Sequence, residues 1–145
     1  MTGNSRFAVS IHILAYLAFR HGAAVPSAEI ASSVATNPVV IRRLLSALAK
    51  SHLVTAQKGV TGGFSLARPP REISLQDVYR AVNPTPRHGF KRISPNTECP
   101  VGAKIKSILE IAFVQAHASM EAELARTNLA TIHAQLRTVC SEKNA

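Results

Sequence analysis

At 145 residues the chain has room for one compact domain plus an appendage, and a hydrophobic content of 46% suffices for a modest core. Its two cysteines, Cys99 and Cys140, have no CxxC spacing, which excludes a disulfide framework or a zinc finger and makes a reducing cytoplasm the default setting. The net charge of +9 is segregated: residues 1–92 hold twelve basic and three acidic side chains, residues 93–145 five of each. A basic part suited to a polyanion therefore precedes a neutral part suited to protein contacts.

The first element is an apolar run from Phe7 to Phe19 behind Arg6, superficially like a signal peptide. It is too short to span a bilayer and is interrupted by Ser10 and His12, so it reads as a buried first helix, and no membrane partner is expected. Phe7, Ile11, Leu14 and Ala18 fall on one side, Val9, Ile13, Tyr16 and Leu17 on another. A helix with two apolar faces needs two covers, one of them a helix from the C-terminal part of this chain or of a partner. His12 on such a helix is expected as a core histidine bonded to backbone. Ser27-Ala28-Glu29-Ile30-Ala31 then opens a short helix, with Ser27 as its cap and Glu29 as an early acidic residue.

The next helix is the best marked. Asn37 can accept from the free N–H groups of the first turn, and Pro38 loses nothing at the first helical position. Ile41, Leu44, Leu45 and Leu48 recur at i, i+3, i+4 and i+7, one apolar stripe, which leaves Arg42, Arg43, Ser46 and Lys50 outward. Two short-linked helices of this kind make a helix-turn-helix. Leu53 to Lys58 and Phe64 to Ala67 read as strands, and Gly59, Gly62 and Gly63 allow the positive φ angles of a tight hairpin. Helix-turn-helix plus basic hairpin is the order of a winged helix, whose recognition helix reads the major groove with its first turns. Arginine suits that work because it can pair two-pronged with guanine. The candidate DNA-contacting set is Thr36, Asn37, Val39, Arg42, Arg43, Ser46, Lys58, Thr61, Gly62 and Gly63, with Lys58 toward a phosphate or the minor groove.

Past the wing, Pro69-Pro70 breaks the chain, and Ser74-Leu75-Gln76-Asp77 resembles a capping box opening a short helix with Leu75, Val78, Tyr79 and Val82 on one face. Residues 83–99 are a loop longer than most in a compact domain, and so a candidate sensor region. A long helix follows from about Val101 to Arg126, with Ile105, Leu109, Ala112, Ala116, Met120 and Leu124 along one edge. At about 39 Å it outreaches a small domain. Its stripe is expected to form a homodimer seam, with an intrachain helical hairpin as the alternative. A final helix from about Thr127 to Val139, carrying Leu129, Ile132, Leu136 and Val139, is expected to close over that seam.

The fold class is therefore mainly α with a small β-hairpin wing. The domains are a winged helix-turn-helix over 1–82, a loop over 83–99 and dimerisation helices over 100–145. Double-stranded DNA and a second copy of the chain are the expected partners. The alternative is a basic protein-interaction module, regulated by a partner and without sequence-specific DNA binding, which leaves the wing unexplained. Paired carboxylates, a nucleophile elbow, a P-loop and a metal-ligand cluster are all missing from the sequence, so an enzyme is not expected.

Cys99 has its own chemistry. With Pro100 at the first position of the long helix, its thiol falls at the N-cap, where the helix dipole favours a thiolate; Lys91 and Arg92 assist and Glu98 opposes. Cys99 is thus a candidate redox sensor, the alternative being a cysteine that caps without signalling.

The segments SRFAVSIHILAYLA, KGVTGGFSLAR, ISLQDVYRAV and ECPVGAKIKSILEIAF together resemble the Rrf2 family of bacterial transcription regulators over nearly the whole chain. The resemblance implies a dimeric winged-helix repressor of a family some of whose members sense iron–sulfur clusters, nitric oxide or cysteine metabolism. The family's wing pattern, a basic residue, Gly-x-x-Gly-Gly and an aromatic, matches Lys58, Gly59, Gly62, Gly63 and Phe64, with Lys standing where Arg is commoner. Cluster-binding members resemble one another in carrying three cysteines in the sensor loop; here only Cys99, at the last of those positions, is present, and Cys140 matches none. His12, His88 and Glu98 have no diagnostic ligand spacing. No cofactor is therefore expected, and an iron–sulfur cluster is not. The chain resembles the cysteine-poor branch, whose effector is an unknown small molecule or protein partner. Because the family places its first helix near the partner's sensor loop, the resemblance also implies a His12–Cys99 pairing across the dimer.

Overall fold

In the computed structural model, which describes residues 3–84 and 94–143, the chain runs α1 (Gly3–Phe19), α2 (Ser27–Val34), α3 (Pro38–Lys50), β1 (Val54–Gln57), β2 (Gly63–Leu66), a 3-10 turn (Pro70–Glu72), α4 (Leu75–Val82), α5 (Pro100–Ala125) and α6 (Leu129–Lys143). His88, Lys91 and Arg92 lie outside the described residues. The fold is mainly helical with one antiparallel hairpin, as the sequence predicts.

The core collects the apolar stripes. Ile13, Leu14 and Leu17 of α1 meet Ile30 of α2, Ile41, Leu45 and Leu48 of α3, and Val78 and Val82 of α4, all at most 1% exposed. Each such side chain contributes roughly 1.5–3 kcal/mol by leaving water. Ser10 is the buried polar exception among the described residues, and its hydroxyl donates to the Arg6 carbonyl one turn back at 2.8 Å. Strand pairing runs Val54 to Leu66 through Gln57 to Gly63. Val25 bridges to the other edge of β2: its N–H donates to the Phe64 carbonyl at 2.9 Å, and the Phe64 N–H donates back at 2.8 Å. The hairpin is thereby tied to the segment that enters α2.

Ser74 and Asp77 close the predicted capping box of α4, each backbone N–H donating to the other's side chain at 3.0 Å. Ser27, by contrast, does not cap α2. Pro26 takes the N-cap with extended dihedrals and no side-chain bond, and Ser27 is the first helical residue. The fixed φ of proline positions the chain for helix entry without a capping hydroxyl.

The C-terminal helices also depart from expectation. The α6 helix turns back across α1 and the 3-10 turn rather than over α5, giving α1 the cover expected from the C-terminal part, and Leu129 is fully buried in the core. Backbone bonds secure this return: the Leu75 N–H donates to the Thr127 carbonyl at 2.9 Å and the Leu129 N–H to the Ile73 carbonyl at 2.8 Å. The α5 helix, 26 residues and about 39 Å long, has no buried residue. Its later half lies along α4, where Arg80 donates to Glu121 Oε2 from Nη2 at 2.6 Å and from Nε at 3.1 Å. Elsewhere on this helix Val101, Ile108, Ile111 and Val114 are exposed. Of the predicted stripe, Leu109 is half-buried, while Ile105, Ala112, Ala116 and Met120 are exposed. No helix among the described residues is long and apolar enough to cross a membrane.

Candidate nucleic-acid interface

The turn between α2 and α3 is built without glycine. Ala35 adopts the left-handed conformation (φ 55°, ψ 46°), and its N–H reaches the Ala31 and Ser32 carbonyls, which ends α2. Asn37 is extended and its Oδ1 accepts from the Val39 N–H at 2.8 Å, which starts α3. Thr36 is half-buried between these two caps. A second device fixes α2 against α1: Glu29 accepts from the Tyr16 hydroxyl at 2.7 Å and pairs with Arg20. The sequence pointed to Glu29 only as a first-turn acid. Its partners lie on a different helix, so no local pattern could announce them.

These caps hold α3 with one face in the core and the other in solvent. Val39, Arg42, Arg43, Ser46 and Lys50 are exposed. Arg42 lies back along its own helix, its Nε donating to the Pro38 carbonyl at 3.4 Å. Among the described residues no salt bridge involves Arg42, Arg43, Lys50 or Lys58. A face with uncompensated cations over two helical turns offers phosphates and base edges free donors.

The wing projects beyond this face. Lys58 and Thr61 are exposed, and Val60 between them is fully so. An apolar residue at a turn tip carries no charge signal in the sequence, so Val60 is legible only in the structure, where its side chain is free for sugar or groove contact. Of the glycines expected to take positive φ, Gly59 (φ 110°) and Gly63 (φ 158°) do so, while Gly62 is needed for a different reason. A Cβ at Gly62 would strike the Gln57 and Gly59 carbonyls, and one at Gly63 the Val25 carbonyl. Gly62 thus permits the tight turn of the wing itself, and Gly63 the close approach that seats the wing on the Val25 segment.

The two candidate sensor residues lie on different elements, α1 and the start of α5. Cys99 is exposed at the N-cap of α5 as predicted. The Gly102 and Val101 N–H groups hold its thiol below the ordinary cysteine range, although neither completes a capping hydrogen bond of normal geometry. His12 is not a core histidine: it is exposed on α1, and its Nε2 lies 3.1 Å from the Ser33 hydroxyl. The apolar helix face that suggested burial is shared between its neighbours Ile13 and Leu14, and position 12 falls between that face and α2.

A capped recognition helix with free cations, a helix packed behind it and a basic glycine wing define a winged-helix DNA-binding protein. The comparisons with known proteins agree. The Rrf2 model, described as an iron-dependent transcriptional regulator, matches residues 3–135, and the chain belongs to that family. It is 44% identical over 126 residues to YwnA of Bacillus subtilis (strain 168), named as an HTH-type transcriptional regulator, covering 87% of this chain and 92% of YwnA. A solved DNA-binding protein superposes with a TM-score of 0.69 at 39% identity, covering 88% of this chain and 97% of its own. A transcriptional regulator from Lactobacillus plantarum does so at 0.79 and 28% identity, covering 96% and 97%. The chain is thus a transcription regulator by family, and the family and these relatives are not enzymes.

The family's description names iron, and the described residues do not fit it. No three of His, Cys, Asp or Glu come together among them, and at the start of α5 Cys99 has Glu98 beside it as the one adjacent carboxylate.

Proposed function

We propose that this protein is a homodimeric repressor that reads an inverted repeat. The first turns of α3 enter the major groove, with Arg42 and Arg43 at base edges and Thr36, Asn37, Val39 and Ser46 around them. Lys58 and Thr61 bring the wing to the adjacent backbone or minor groove, and the backbone at Gly62 and Gly63 allows that approach. Two copies pair through α5, using Ile105, Leu109, Ala112, Ala116 and Met120 together with Ile108 and Ile111. Residues 83–99 and Cys99 are the signal-receiving region, with His12 of the second copy opposite and a small effector or protein partner as the signal. The observation that carries this reading is the solvent face of α3, whose cations are free of ion pairs among the described residues. Support for pairing comes from the apolar, unburied surface of α5, since a two-fold contact is the commonest way to cover such a face.

The test is selection of bound fragments from genomic DNA with the purified full chain. Enrichment of a motif with two-fold symmetry supports the proposal. Binding that depends on length and salt but not on sequence would instead identify a basic interaction module.

A further inference from the structure

Away from α3 and the wing, a cleft of about 640 Å³ opens where the end of α1, the segment after β2 and α6 converge. Four nitrogen-bearing side chains line it: His21 from the end of α1, Arg68 from the segment after β2, and His133 and Arg137 from α6. Among the described residues its lining includes no carboxylate, and Leu66, Pro69 and Pro70 supply apolar surface. Asp77, outside the lining, reaches Arg68 Nη2 only at 3.9 Å.

Two of these groups are left unsatisfied. Arg68 Nε and His133 Nε2 are both buried, and among the described residues neither has a hydrogen-bond partner. A buried donor without a partner loses its hydration and regains nothing, so such atoms are rare in folded proteins. Here two of them belong to side chains of one cleft, contributed by segments far apart in sequence. His21 and His133, both in the lining, stand edge to face with ring centroids 6.2 Å apart. The volume lies in the range of small-molecule sites, where a few converging polar groups are set on apolar walls.

We propose that this cleft binds a small organic carboxylate. Its oxygens accept from the Nη groups of Arg68 and from Arg137, and its apolar body rests against Leu66, Pro69 and Pro70. The fork of an arginine matches a carboxylate with two parallel N–H donors, which an amide of the same shape does not offer oxygens to receive. The proposal does not depend on DNA binding or on the dimer, and its test uses neither.

The experiment is titration of the ¹⁵N-labelled full chain with sodium benzoate, with benzamide and with inorganic phosphate, at constant ionic strength. Benzoate should shift the amides of Gly22, Ala67, Arg68 and His133 and bind at least about tenfold tighter than benzamide, the factor expected for one charge-assisted bond. Arg137→Gln, on the exposed surface of α6, should weaken benzoate about fivefold or more without altering the melting temperature, and Arg68→Gln should do the same where it remains folded. Equal affinity for benzamide, equal affinity for phosphate, or unchanged benzoate affinity in a folded Arg137→Gln would each overturn the assignment.

Discussion

The double substitution Ile108→Ala with Ile111→Ala tests the proposed α5 seam with a magnitude set by the structure. The two side chains are 61% and 64% exposed in one chain. Full burial of an isoleucine is worth ~1.5–3 kcal/mol, so covering these exposed fractions is worth ~1–2 kcal/mol each, or ~4–8 kcal/mol for the four copies in a dimer. Alanine retains part of the contact, and the variant should lose ~3–6 kcal/mol of association energy, which raises the dimer Kd by ~10²–10⁴. No residue of α5 is buried within its own chain, so protomer folding should be spared. Sedimentation equilibrium over a concentration series reads the Kd, and circular dichroism checks that helix content persists. A wild-type chain that is monomeric at micromolar concentration, or a folded variant whose dimer is unchanged, would refute the seam.

Other consequences are separable. If Arg42 or Arg43 pairs with guanine, its replacement by Ala should cost ~1–3 kcal/mol of operator affinity and relax one position per half-site, as read by competition binding against operator variants. Lys58→Ala should weaken all sequences evenly and reduce the salt slope by about one. Gly63→Ala forces a Cβ onto the Val25 carbonyl, so urea unfolding should show a loss of ~1–3 kcal/mol or more; unchanged stability would mean that the wing base can shift. The hydrogen bond from Arg80 holds the Glu121 carboxyl below the ordinary carboxylate range. A depressed folded pKa gives stability that is present above the unfolded value and lost as pH falls through the folded one. The advantage of wild type over Glu121→Gln in unfolding titrations should therefore be full at about pH 7 and shrink progressively below about pH 4.

What the sequence disclosed depended on whether the determinant was local. The α3 helix was legible because Asn37, Pro38 and the Ile41-Leu44-Leu45-Leu48 stripe all lie within it, and the α4 capping box because Ser74 and Asp77 are one turn apart. The wing was legible from its glycines, two of which, Gly59 and Gly63, serve by positive φ. Ala35 and His52 take left-handed φ without being glycine, and nothing local marked either as a helix stop. Contacts between distant segments were also hidden: Val25 with Phe64, Glu29 with Tyr16 and Arg20, Ser74 with Asn128. The path of α6 followed from the last of these. Its apolar residues suit α1 as well as α5, and periodicity identifies a buried face without naming its partner. The burial of His12 was misread for the same reason, since its neighbours are apolar while its own direction leads to Ser33.

The return of α6 bears on how a signal could reach DNA. The α3 helix packs on α4, α4 on α5, and the turn that joins α5 to α6 is bonded to the start of α4 through Thr127, Ile73 and Leu129. The α5 helix is therefore attached to the recognition helix through α4 at two places, the Arg80–Glu121 pair and the Ser74–Asn128 bridge. In the proposed dimer, a change in the crossing of two α5 helices would carry each α3 with it. Half-sites one turn of DNA apart require recognition helices about 34 Å apart, so a small rotation at the seam misplaces one of them. Cys99 lies at the end of α5 remote from α4, where a modest displacement acts on a long lever. Oxidation there should alter operator affinity by the ~1–3 kcal/mol typical of allosteric coupling. Gel-shift titrations with and without peroxide, on wild type and Cys99→Ser, measure it. If wild type binds equally in both conditions while Cys99 is shown by alkylation to have been oxidised, the lever does not transmit, and Cys99 is only the residue that precedes its helix.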